Sequence, residues 1–477
     1  MQAGDARFAK GIGAAMVAMV VTAALVVAGC TSSTTPQAGQ TLTVSPALMP
    51  VSLTDAPGDQ VVAASLTLNS VVLTDSKGET TSILSAPLTF EAAHLDAVQE
   101  PVFTPSLAED TYTSVELTYS NAQVAYIDPT TNQVVLAAAT LANTSQTFIF
   151  PTPLDVNNAT TSLLIDYLVA NSVSISGSTV TVTPQFNIAP APIAATPTNG
   201  TNGLLCGVKG KVTALGTNQF TLTNPEGLTL NITVNANTQY QGLSGFGALE
   251  VGALVEVDVQ LEGGGAMLAL RVEQQVPPNA TAELLVGPVT AVTGSPATSF
   301  TELVRQKIGP APTTTPVEKD TITVTGSTQF LLPGRWDNLV AGGVPFTPTF
   351  NASTLFAGQV VAVATSGVTN NAATASAVIL APQTVAGTIT GGVAPACIPC
   401  WASLTLTLPS DSWLATVTGK TTVVVILPGG VQALPGVPAT AAGMVRFNGF
   451  LFENNGTLTL VALVEGPPPG TAIGPTI

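Results

Sequence analysis

The sequence predicts an all-β protein, with an N-terminal β-sandwich followed by three small β-barrel-like repeats. Glycine and proline are abundant, with 43 and 36 residues, and both favour turns between short strands. Charged residues make up only 8% of the chain, and no long helical periodicity follows the N-terminal segment. A length of 477 residues exceeds what one hydrophobic core usually supports, so several domains are expected.

Residues 1–29 have the pattern of an export signal. A short head with Arg7 and Lys10 precedes an apolar run that ends in Val27-Ala28-Gly29-Cys30. The residues around Cys30 resemble the bacterial lipoprotein signal, which implies cleavage before this cysteine and a lipid on its sulfur. The alternatives are an uncleaved membrane anchor, which needs about 20 apolar residues, and an ordinary cleaved signal. All three place the rest of the chain outside the cytoplasm.

Residues 30–45 are the predicted lipidated tether. The stretch from Thr31 to Gln40 contains no large apolar residue, so it is expected to stay extended. Lipid chains on Cys30 would make the membrane a permanent partner, because each buried methylene adds about 0.8 kcal/mol. Thr31 stands where an Asp would resemble the inner-membrane retention signal. The resemblance therefore implies the outer membrane in a bacterium that has two membranes.

The charge balance argues against nucleic acid as a partner. The chain carries a net charge of −16, and removal of residues 1–29 leaves ten basic and 27 acidic residues, or about −17. Binding to a phosphate backbone depends on clustered Lys and Arg. Solubility explains the acidity, and divalent-cation sites are the alternative.

Residues 46–188 are predicted to form the sandwich, because short alternating runs are separated by turn residues. The run from Val51 to Asp59 spells VSLTDAPGD and resembles a family of bacterial extracytoplasmic domains of unknown function. The segments Leu107 to Leu117 and Leu163 to Val173 carry further matches, whereas Glu109-Asp110 replaces a Gly-containing turn. The resemblance implies an immunoglobulin-like or transthyretin-like sandwich and no activity.

The remainder consists of a linker and three repeats. Residues 189–203 are rich in Pro, Ala and Thr and are predicted to be the linker. The repeats are predicted at residues 204–278, 279–382 and 383–466, and residues 467–477 as a loose tail.

Each repeat opens with Gly-x-Val or Gly-x-Ile, at Gly210, Gly287 and Gly387. A Thr-Gln-aromatic step follows at Thr238 and Thr328 and has no clear counterpart in the third repeat. Together with a later Gly-x-x-Val-x-Val strand, this pattern resembles a second family of unknown function, which is repeated in secreted bacterial proteins. Closed barrels are favoured because closure removes exposed sheet edges, and an open sandwich is the alternative. The second repeat carries an insertion around residues 304–319.

His94 is the only histidine in the chain, and it is predicted to be a surface or turn residue. Neighbouring Asp96 suggests a Ser, His and Asp hydrolase, but no Gly-x-Ser-x-Gly elbow supports that alternative. A single histidine also excludes the common zinc ligand sets. No catalytic residue and no cofactor is therefore predicted.

Cys397 and Cys400 are the one close cysteine pair. Their β-hairpin context predicts a structural disulfide in an oxidising compartment, with a metal site or redox pair as the alternatives. Cys206 is then left without a partner and is expected to be buried as a small apolar residue.

Two weaker ligand hypotheses remain. Asp55 and Asp59 are calcium candidates, with Asp75 or Asp128 nearby in space, although no Asp-x-Asp-x-Asp loop is present. The alternative is that Asp55 starts a turn through its own backbone. Exposed tryptophans would offer a platform for stacking sugars, and the candidates are Trp336, Trp401 and Trp413. The alternative is packing in a core, which is the commoner fate of a tryptophan.

The prediction for the whole chain is a non-enzymatic, surface-anchored lipoprotein of the bacterial cell envelope, with a structural, adhesive or ligand-binding role. The alternative is a module that binds glycans or another polymer. A third reading is a hydrolase of envelope or extracellular polymers, which would need at least two perturbed carboxylates in one pocket. The expected partners are the membrane, through the lipid, and an envelope protein or glycan.

Overall fold

Strands make up almost all of the regular structure in the computed structural model, which confirms the predicted all-β class. The predicted signal, tether and tail lie outside the described residues. Among those described, no helix has the length and apolar character needed to cross a bilayer. The structure describes residues 47–55, 60–95, 99–128, 130–156, 161–193, 203–262, 265–276, 283–309, 317–334, 336, 344–393, 401–427 and 444–466.

The N-terminal region contains two main sheets and two small ones. One main sheet has the strand order β15-β12-β2-β6, and the other runs β11-β8-β3-β4, with β5 and β9 as additional partners of β3 and β8. The strands are β1 (Ala47–Leu48), β2 (Val51–Asp55), β3 (Val61–Asp75), β4 (Thr80–Ser82), β5 (Leu88–Glu91), β6 (Glu100–Phe103), β7 (Ser106–Leu107), β8 (Thr111–Ile127), β9 (Val134–Ala138), β10 (Thr140–Leu141), β11 (Ser145–Asp155), β12 (Thr161–Tyr167), β13 (Val173–Ser176), β14 (Thr179–Val182) and β15 (Phe186–Pro192).

The core of this region lies between the two main sheets, as in a β-sandwich. Leu163 and Ile165 of β12 alternate inward from one sheet, and Leu66 and Leu117 point inward from the other. All four are completely buried. The alternation of apolar residues along each strand, with a period of two, is what places them on one face. We call this region the sandwich.

The described residues from Leu204 to Gly466 form three barrels, which we call barrels 1, 2 and 3. Their strands are β16 (Leu204–Gly216), β17 (Gln219–Thr223), β18 (Thr229–Thr233), β19 (Gln239–Gln241), β20 (Leu254–Leu261), β21 (Met267–Val276), β22 (Glu283–Thr293), β23 (Ser299–Val304), β24 (Gln306–Ile308), β25 (Glu318–Thr323), β26 (Gln329–Leu331), β27 (Val360–Thr365), β28 (Ala372–Leu380), β29 (Gln383–Val393), β30 (Ala402–Thr407), β31 (Thr422–Leu427), β32 (Met444–Asn454) and β33 (Thr457–Gly466).

All three barrels close in the same strand order. Barrel 1 runs β16-β17-β18-β21-β20 and returns to β16, barrel 2 runs β22-β23-β25-β28-β27, and barrel 3 runs β29-β30-β31-β33-β32. The short strands β19, β24 and β26 pair with a ring strand but lie outside the closed ring. When the five ring strands of each barrel are numbered along the sequence, their order around the ring is 1-2-3-5-4, and strands 3 and 5 are parallel. This is the order of the five-stranded Greek-key barrel known as the OB fold. Closed barrels, rather than open sandwiches, are therefore confirmed.

The repeated sequence signals have a structural cause. At Gly210 an added Cβ would lie 2.6 Å from the carbonyl oxygen of Thr223, and at Gly387 it would lie 2.7 Å from that of Thr407. Each barrel thus needs glycine where its first strand crosses closely over the second. The Thr-Gln-aromatic steps form β19 and β26, where the hydroxyls of Thr238 and Thr328 each donate to a carbonyl of the fifth strand at 2.8 Å.

Helical structure in the described chain is confined to short segments. The helices are α1 (Val169–Ser172) and α2 (Trp413–Thr418), and two 3-10 turns span Ala93–Leu95 and Phe246–Ala248. The first of these turns carries His94, from which the candidate site is built.

Candidate functional site

Glu91, the last residue of β5, holds the turn that carries His94. Its Oε1 accepts the N–H groups of Ala64 and Ala93, at 2.8 and 2.9 Å. Its Oε2 accepts the N–H of His94 at 3.0 Å. Because the Glu91 side chain is only 1% exposed, these bonds fix both the turn and the carboxylate.

The imidazole of His94 lies between two carboxylates of the sandwich. Its Nδ1 is 3.0 Å from Glu91 Oε2, and its Nε2 is 3.2 Å from Glu100 Oε2. The second contact is close enough for an ion pair, but Nε2 has no partner with hydrogen-bond geometry. Only 10% of the side chain is exposed. The prediction of a turn residue is confirmed, whereas the prediction of a surface histidine is wrong because these acids enclose the ring.

Two other β units complete the cluster. Gln306 of barrel 2 donates from Nε2 to Glu100 Oε1 at 2.9 Å. Glu226 of barrel 1 lies in the turn between β17 and β18, where Asn224 Oδ1 accepts the N–H of Leu228 at 2.8 Å. Ligand-type atoms of Glu226, His94 and Glu100 all lie within 4.8 Å of one another. We call Glu91, His94, Glu100 and Glu226 the junction cluster.

Burial and mutual charge shift the pKa values of His94, Glu100 and Glu226 in different directions. Burial alone would lower the pKa of His94, but the negative charge and contact of Glu100, followed by Glu91, outweigh it and raise the pKa to about 10. Burial alone would raise the pKa of Glu100, but the charge of His94 outweighs it and lowers the pKa. Burial, with a smaller contribution from Glu100, raises the pKa of Glu226 to about 8.

The chemistry of these groups suits metal binding better than acid–base catalysis. One imidazole nitrogen and two carboxylates are ordinary ligands of divalent metals. Glu91 holds Nδ1, which directs the ring through Nε2 towards Glu100. His94, Glu100 and Glu226 form the one group of metal-ligand residues with this spacing in the described part of the chain.

A second charged cluster surrounds Arg271 of β21. Its guanidinium binds Asp258 through Nε at 2.7 Å and Glu256 through Nη2 at 3.1 Å, and Nη1 contacts Glu273. Burial would lower the pKa of Arg271, but these three carboxylates outweigh it and raise the pKa. Glu273 Oε1 also accepts the N–H of Gly334 in barrel 2 at 2.7 Å. The cluster therefore joins barrel 1 to barrel 2.

A third cluster is the acid pair, Glu302 of β23 and Asp320 of β25. Glu302 shares a strand face with Phe300 and Val304, which belong to the core of barrel 2. Both acids are fully buried, and none of their four carboxylate oxygens has a hydrogen-bond partner in the described structure. Burial, and then the charge of Asp320, raise the pKa of Glu302 well above its ordinary value. Burial, and then Glu318, raise the pKa of Asp320.

The candidate tryptophans lie in or against hydrophobic cores. Trp336 is 6% exposed and packs on Phe450 and Phe452, with ring centroids at 5.6 and 5.2 Å. Trp336 is therefore packed in a core, the alternative to an exposed platform, because β32 of barrel 3 directs both phenylalanines onto it. Trp401 is half-buried against the core of barrel 2, and Trp413 is half-buried at the start of α2.

Several predicted sites lie outside the described residues. They are the lipidation site Cys30, the disulfide pair Cys397 and Cys400, Asp59, Asp96, and the side chains of Asp55 and Cys206. The two acids suggested as neighbours of a calcium site are described. Asp75 Oδ1 accepts the N–H groups of Lys77 and Glu79 at 2.8 Å, and Asp128 Oδ1 accepts that of Thr130 at 2.7 Å. Both carboxylates thus stabilise turns.

Sequence reasoning missed the acids that surround His94. The spacing of Glu91 and His94, three residues apart, was the available local signal. Glu226 lies within an Asn-Pro-Glu-Gly segment, which has the composition of an ordinary turn.

Comparisons with known proteins identify one family. The model described as "Domain of unknown function (DUF5666)" matches residues 209–273, which run from β16 to β21 of barrel 1. The predicted resemblance of this repeat to a family of unknown function is confirmed. No curated protein sequence matches the chain.

A solved structure titled "drosophila Unr CSD456" is 11% identical to the chain and has a TM-score of 0.12. The match covers 55% of this chain and 97% of that one. Too little of the two structures superposes for the likeness to indicate a shared architecture or role.

Proposed function

We propose that the chain is a non-enzymatic, lipid-anchored protein of the bacterial cell envelope in which the sandwich and the three barrels form one fixed array. Its role is structural, adhesive or ligand-binding, and Cys30 carries the lipid. The observation that supports this proposal is that buried polar groups of one β unit are paired with groups of the next unit.

The joint between the sandwich and barrel 2 has both polar and apolar contacts. Gln306 donates to buried Glu100 at 2.9 Å, and Arg305 Nε donates to the carbonyl of Val62 at 2.7 Å. Leu303 packs beside these bonds in a buried cluster that includes Val62. Separation of the two units would exchange these bonds for bonds to water, at a net cost of about 0.5–1.5 kcal/mol for each hydrogen bond, and would also expose Leu303 and Val62.

Barrels 2 and 3 are joined in a similar way. Gln359 Nε2 donates to the carbonyl of Leu451 at 2.9 Å, and both residues are completely or almost completely buried. Phe450 and Phe452 of barrel 3 belong to the same apolar cluster as the core of barrel 2. Extensive apolar contact of this kind opposes the relative motion that is otherwise expected between domains.

The Arg271 cluster and the junction cluster are both buried where two β units meet, and this position favours a structural role over a catalytic one. Arg271 and the junction cluster are the most heavily charged buried sites of barrel 1 and the sandwich, and each also contacts a neighbouring β unit. Buried ion networks of this kind fix the arrangement of the groups that surround them.

Differential scanning calorimetry of the mature chain tests the fixed array. We expect one cooperative transition that includes the sandwich and barrel 2, and we expect Gln306→Ala to separate it into two. The exposed Gln219→Ala serves as the control and should leave the transition intact. Independent transitions for the sandwich and barrel 2 in the wild-type chain would contradict the array.

Metabolic labelling with a fatty-acid analogue tests the anchor. The wild-type chain should take up the label and fractionate with membranes, because the lipid holds it there. Cys30→Ser should remove the label, and Cys206→Ser is the matched control that should retain it. Label that persists in Cys30→Ser would contradict lipidation at this residue.

A further inference from the structure

Three groups of metal-ligand type converge where barrel 1 meets the sandwich. His94 and Glu100 come from the sandwich and Glu226 from a turn of barrel 1, and their ligand atoms all lie within 4.8 Å of one another. The glutamates are separated by more than a hundred positions in sequence, so the fold alone brings them together. This convergence is distinct from the hydrogen bonds that join the β units elsewhere.

The surrounding residues hold two of these groups in position for a ligand. Glu91 Oε2 lies 3.0 Å from Nδ1 of His94, which leaves Nε2 facing Glu100. A carboxylate on the remote nitrogen of a histidine is the usual arrangement in metal sites, where it fixes the ring and its tautomer. Gln306 occupies Oε1 of Glu100 at 2.9 Å, which leaves Oε2 towards the imidazole.

Polar atoms in this cluster lack the partners that burial requires. His94 Nε2 is buried and contacts Glu100 Oε2 at 3.2 Å without hydrogen-bond geometry, and Glu226 Oε2 is buried with no hydrogen-bond partner in the described structure. The side chains of His94 and Glu100 are 10% and 4% exposed. An unpartnered buried polar group destabilises the fold, and a cation bound between these atoms would remove that penalty.

The balance of charge also favours a cation. Metal binding displaces protons from its ligands, and the deprotonated cluster then carries three negative charges around the imidazole, on Glu91, Glu100 and Glu226. The charge of Lys209 contributes to the lowered pKa of Glu100, and Lys209 also lies 3.5 Å from Glu256 of barrel 1. A divalent ion would neutralise most of the remaining charge at a place where water is largely excluded.

We propose that Nε2 of His94, Oε2 of Glu100 and a carboxylate oxygen of Glu226 bind one divalent transition-metal ion, which clamps barrel 1 to the sandwich. An imidazole ligand selects first-row transition ions such as Zn²⁺, whereas Ca²⁺ takes six to eight oxygen ligands. This site goes beyond the proposed envelope role, which does not depend on it.

Zinc binding to the whole mature chain tests the proposal. Chelator-treated protein is titrated with Zn²⁺ by calorimetry, and its melting temperature is recorded with and without the ion. We compare the wild type with Glu226→Gln and with Glu250→Gln, an exposed glutamate of the same barrel. The amide removes a ligand charge but keeps the shape, and Glu226 has no hydrogen-bonded partner at Oε2 to lose, so the variant should fold.

We expect the wild type and Glu250→Gln to bind Zn²⁺ equally and to melt at a higher temperature in its presence, because a ligand that binds only the folded state stabilises it. Glu226→Gln should bind at least about 10-fold more weakly and lose this rise in melting temperature. Glu91→Gln, which leaves all three ligands in place, should weaken binding by about 10-fold to 100-fold.

Glu226→Gln and Glu91→Gln also separate this site from the cysteines. Zn²⁺ bound by Cys397 and Cys400 would be retained in Glu226→Gln and in Glu91→Gln, whereas Zn²⁺ in the junction cluster would not. Failure of the wild type to bind Zn²⁺, or unchanged affinity in both variants, would overturn the proposal. Neither result would bear on lipidation or on cooperative unfolding, which test the envelope role separately.

Discussion

Glu302 and Asp320 face each other across neighbouring strands inside barrel 2, at the place where barrel 1 has a pair of leucines. Glu302 pairs with Asp320 in the register of β23 and β25, and Leu222 pairs with Leu230 in the register of β17 and β18. In barrel 3 the equivalent pair is Leu406 and Val423. The same position in three similar barrels thus holds either two apolar residues or two carboxylic acids.

Replacement of the acid pair by its counterparts from barrel 3 should stabilise barrel 2. The double variant Glu302→Leu and Asp320→Val removes two buried acids that lack hydrogen-bond partners. A buried polar group without a hydrogen-bond partner costs about 1–3 kcal/mol, and the apolar side chains remove that cost. Calorimetry should therefore show a higher melting temperature. The reciprocal change, Leu222→Glu with Leu230→Asp in barrel 1, should lower it, and a fall in the first variant would contradict the prediction.

The acid pair should also make the chain less stable as pH rises. Burial raises the pKa of Glu302 and of Asp320 in the folded state, so the folded chain holds protons that the unfolded chain has released. The free energy of unfolding then decreases with increasing pH above the unfolded values of about 4. We expect urea titrations between about pH 5 and pH 8 to show this decrease.

The variant without the acid pair provides the control for this pH dependence. Glu302→Leu with Asp320→Val should reduce the slope, although His94 and Glu226, with pKa values raised to about 10 and about 8, retain a slope of the same sign. An identical slope in wild type and variant would show that Glu302 and Asp320 ionise as easily in the folded chain as in the unfolded one.

The barrels were predictable because their signals are local and are repeated. Gly210 and Gly387 mark the crossing of strands 1 and 2, and Thr238 and Thr328 mark the bond to strand 5. An alignment of the repeats also indicates that Glu302 is buried, because Glu302 occupies the position of Leu222 after a shared Phe-Thr pair. Repetition therefore carries information about buried positions as well as about turns.

The junction cluster was not predictable from these local patterns. Glu91 and His94 are close in sequence, but Glu226 belongs to another β unit and reaches them only through the packing of barrel 1 on the sandwich. The packing partners of Trp336 were not predictable for the same reason, because Phe450 and Phe452 lie in the next barrel. Contacts between units of a tandem array have no periodic signature in the sequence.

Removal of the Arg271 guanidinium should destabilise barrel 1 strongly. Arg271→Met keeps much of the volume but leaves Glu256 and Glu273, both almost fully buried, without their shared cation. Loss of one partner from a buried ion cluster costs about 3–5 kcal/mol. Lys420→Met is the matched control, because Lys420 and Glu453 lie 3.5 Å apart with side chains 37% and 42% exposed. An exposed pair is worth about 0–1 kcal/mol, so equal losses in urea titrations of the two variants would contradict a central role for Arg271.

Replacement of Trp336 should lower the stability of the fold, and any loss of ligand binding should follow from that. The indole is 6% exposed and packs edge to face on Phe450 of the next barrel, with ring centroids at 5.6 Å. Truncation of a buried Trp costs about 3–5 kcal/mol, so Trp336→Ala should lower the melting temperature of barrels 2 and 3 together, and Trp336→Phe should lower it less. If Trp336→Ala melts like the wild type but no longer binds a glycan, the prediction is wrong. That result would indicate that Trp336 stacks on a sugar.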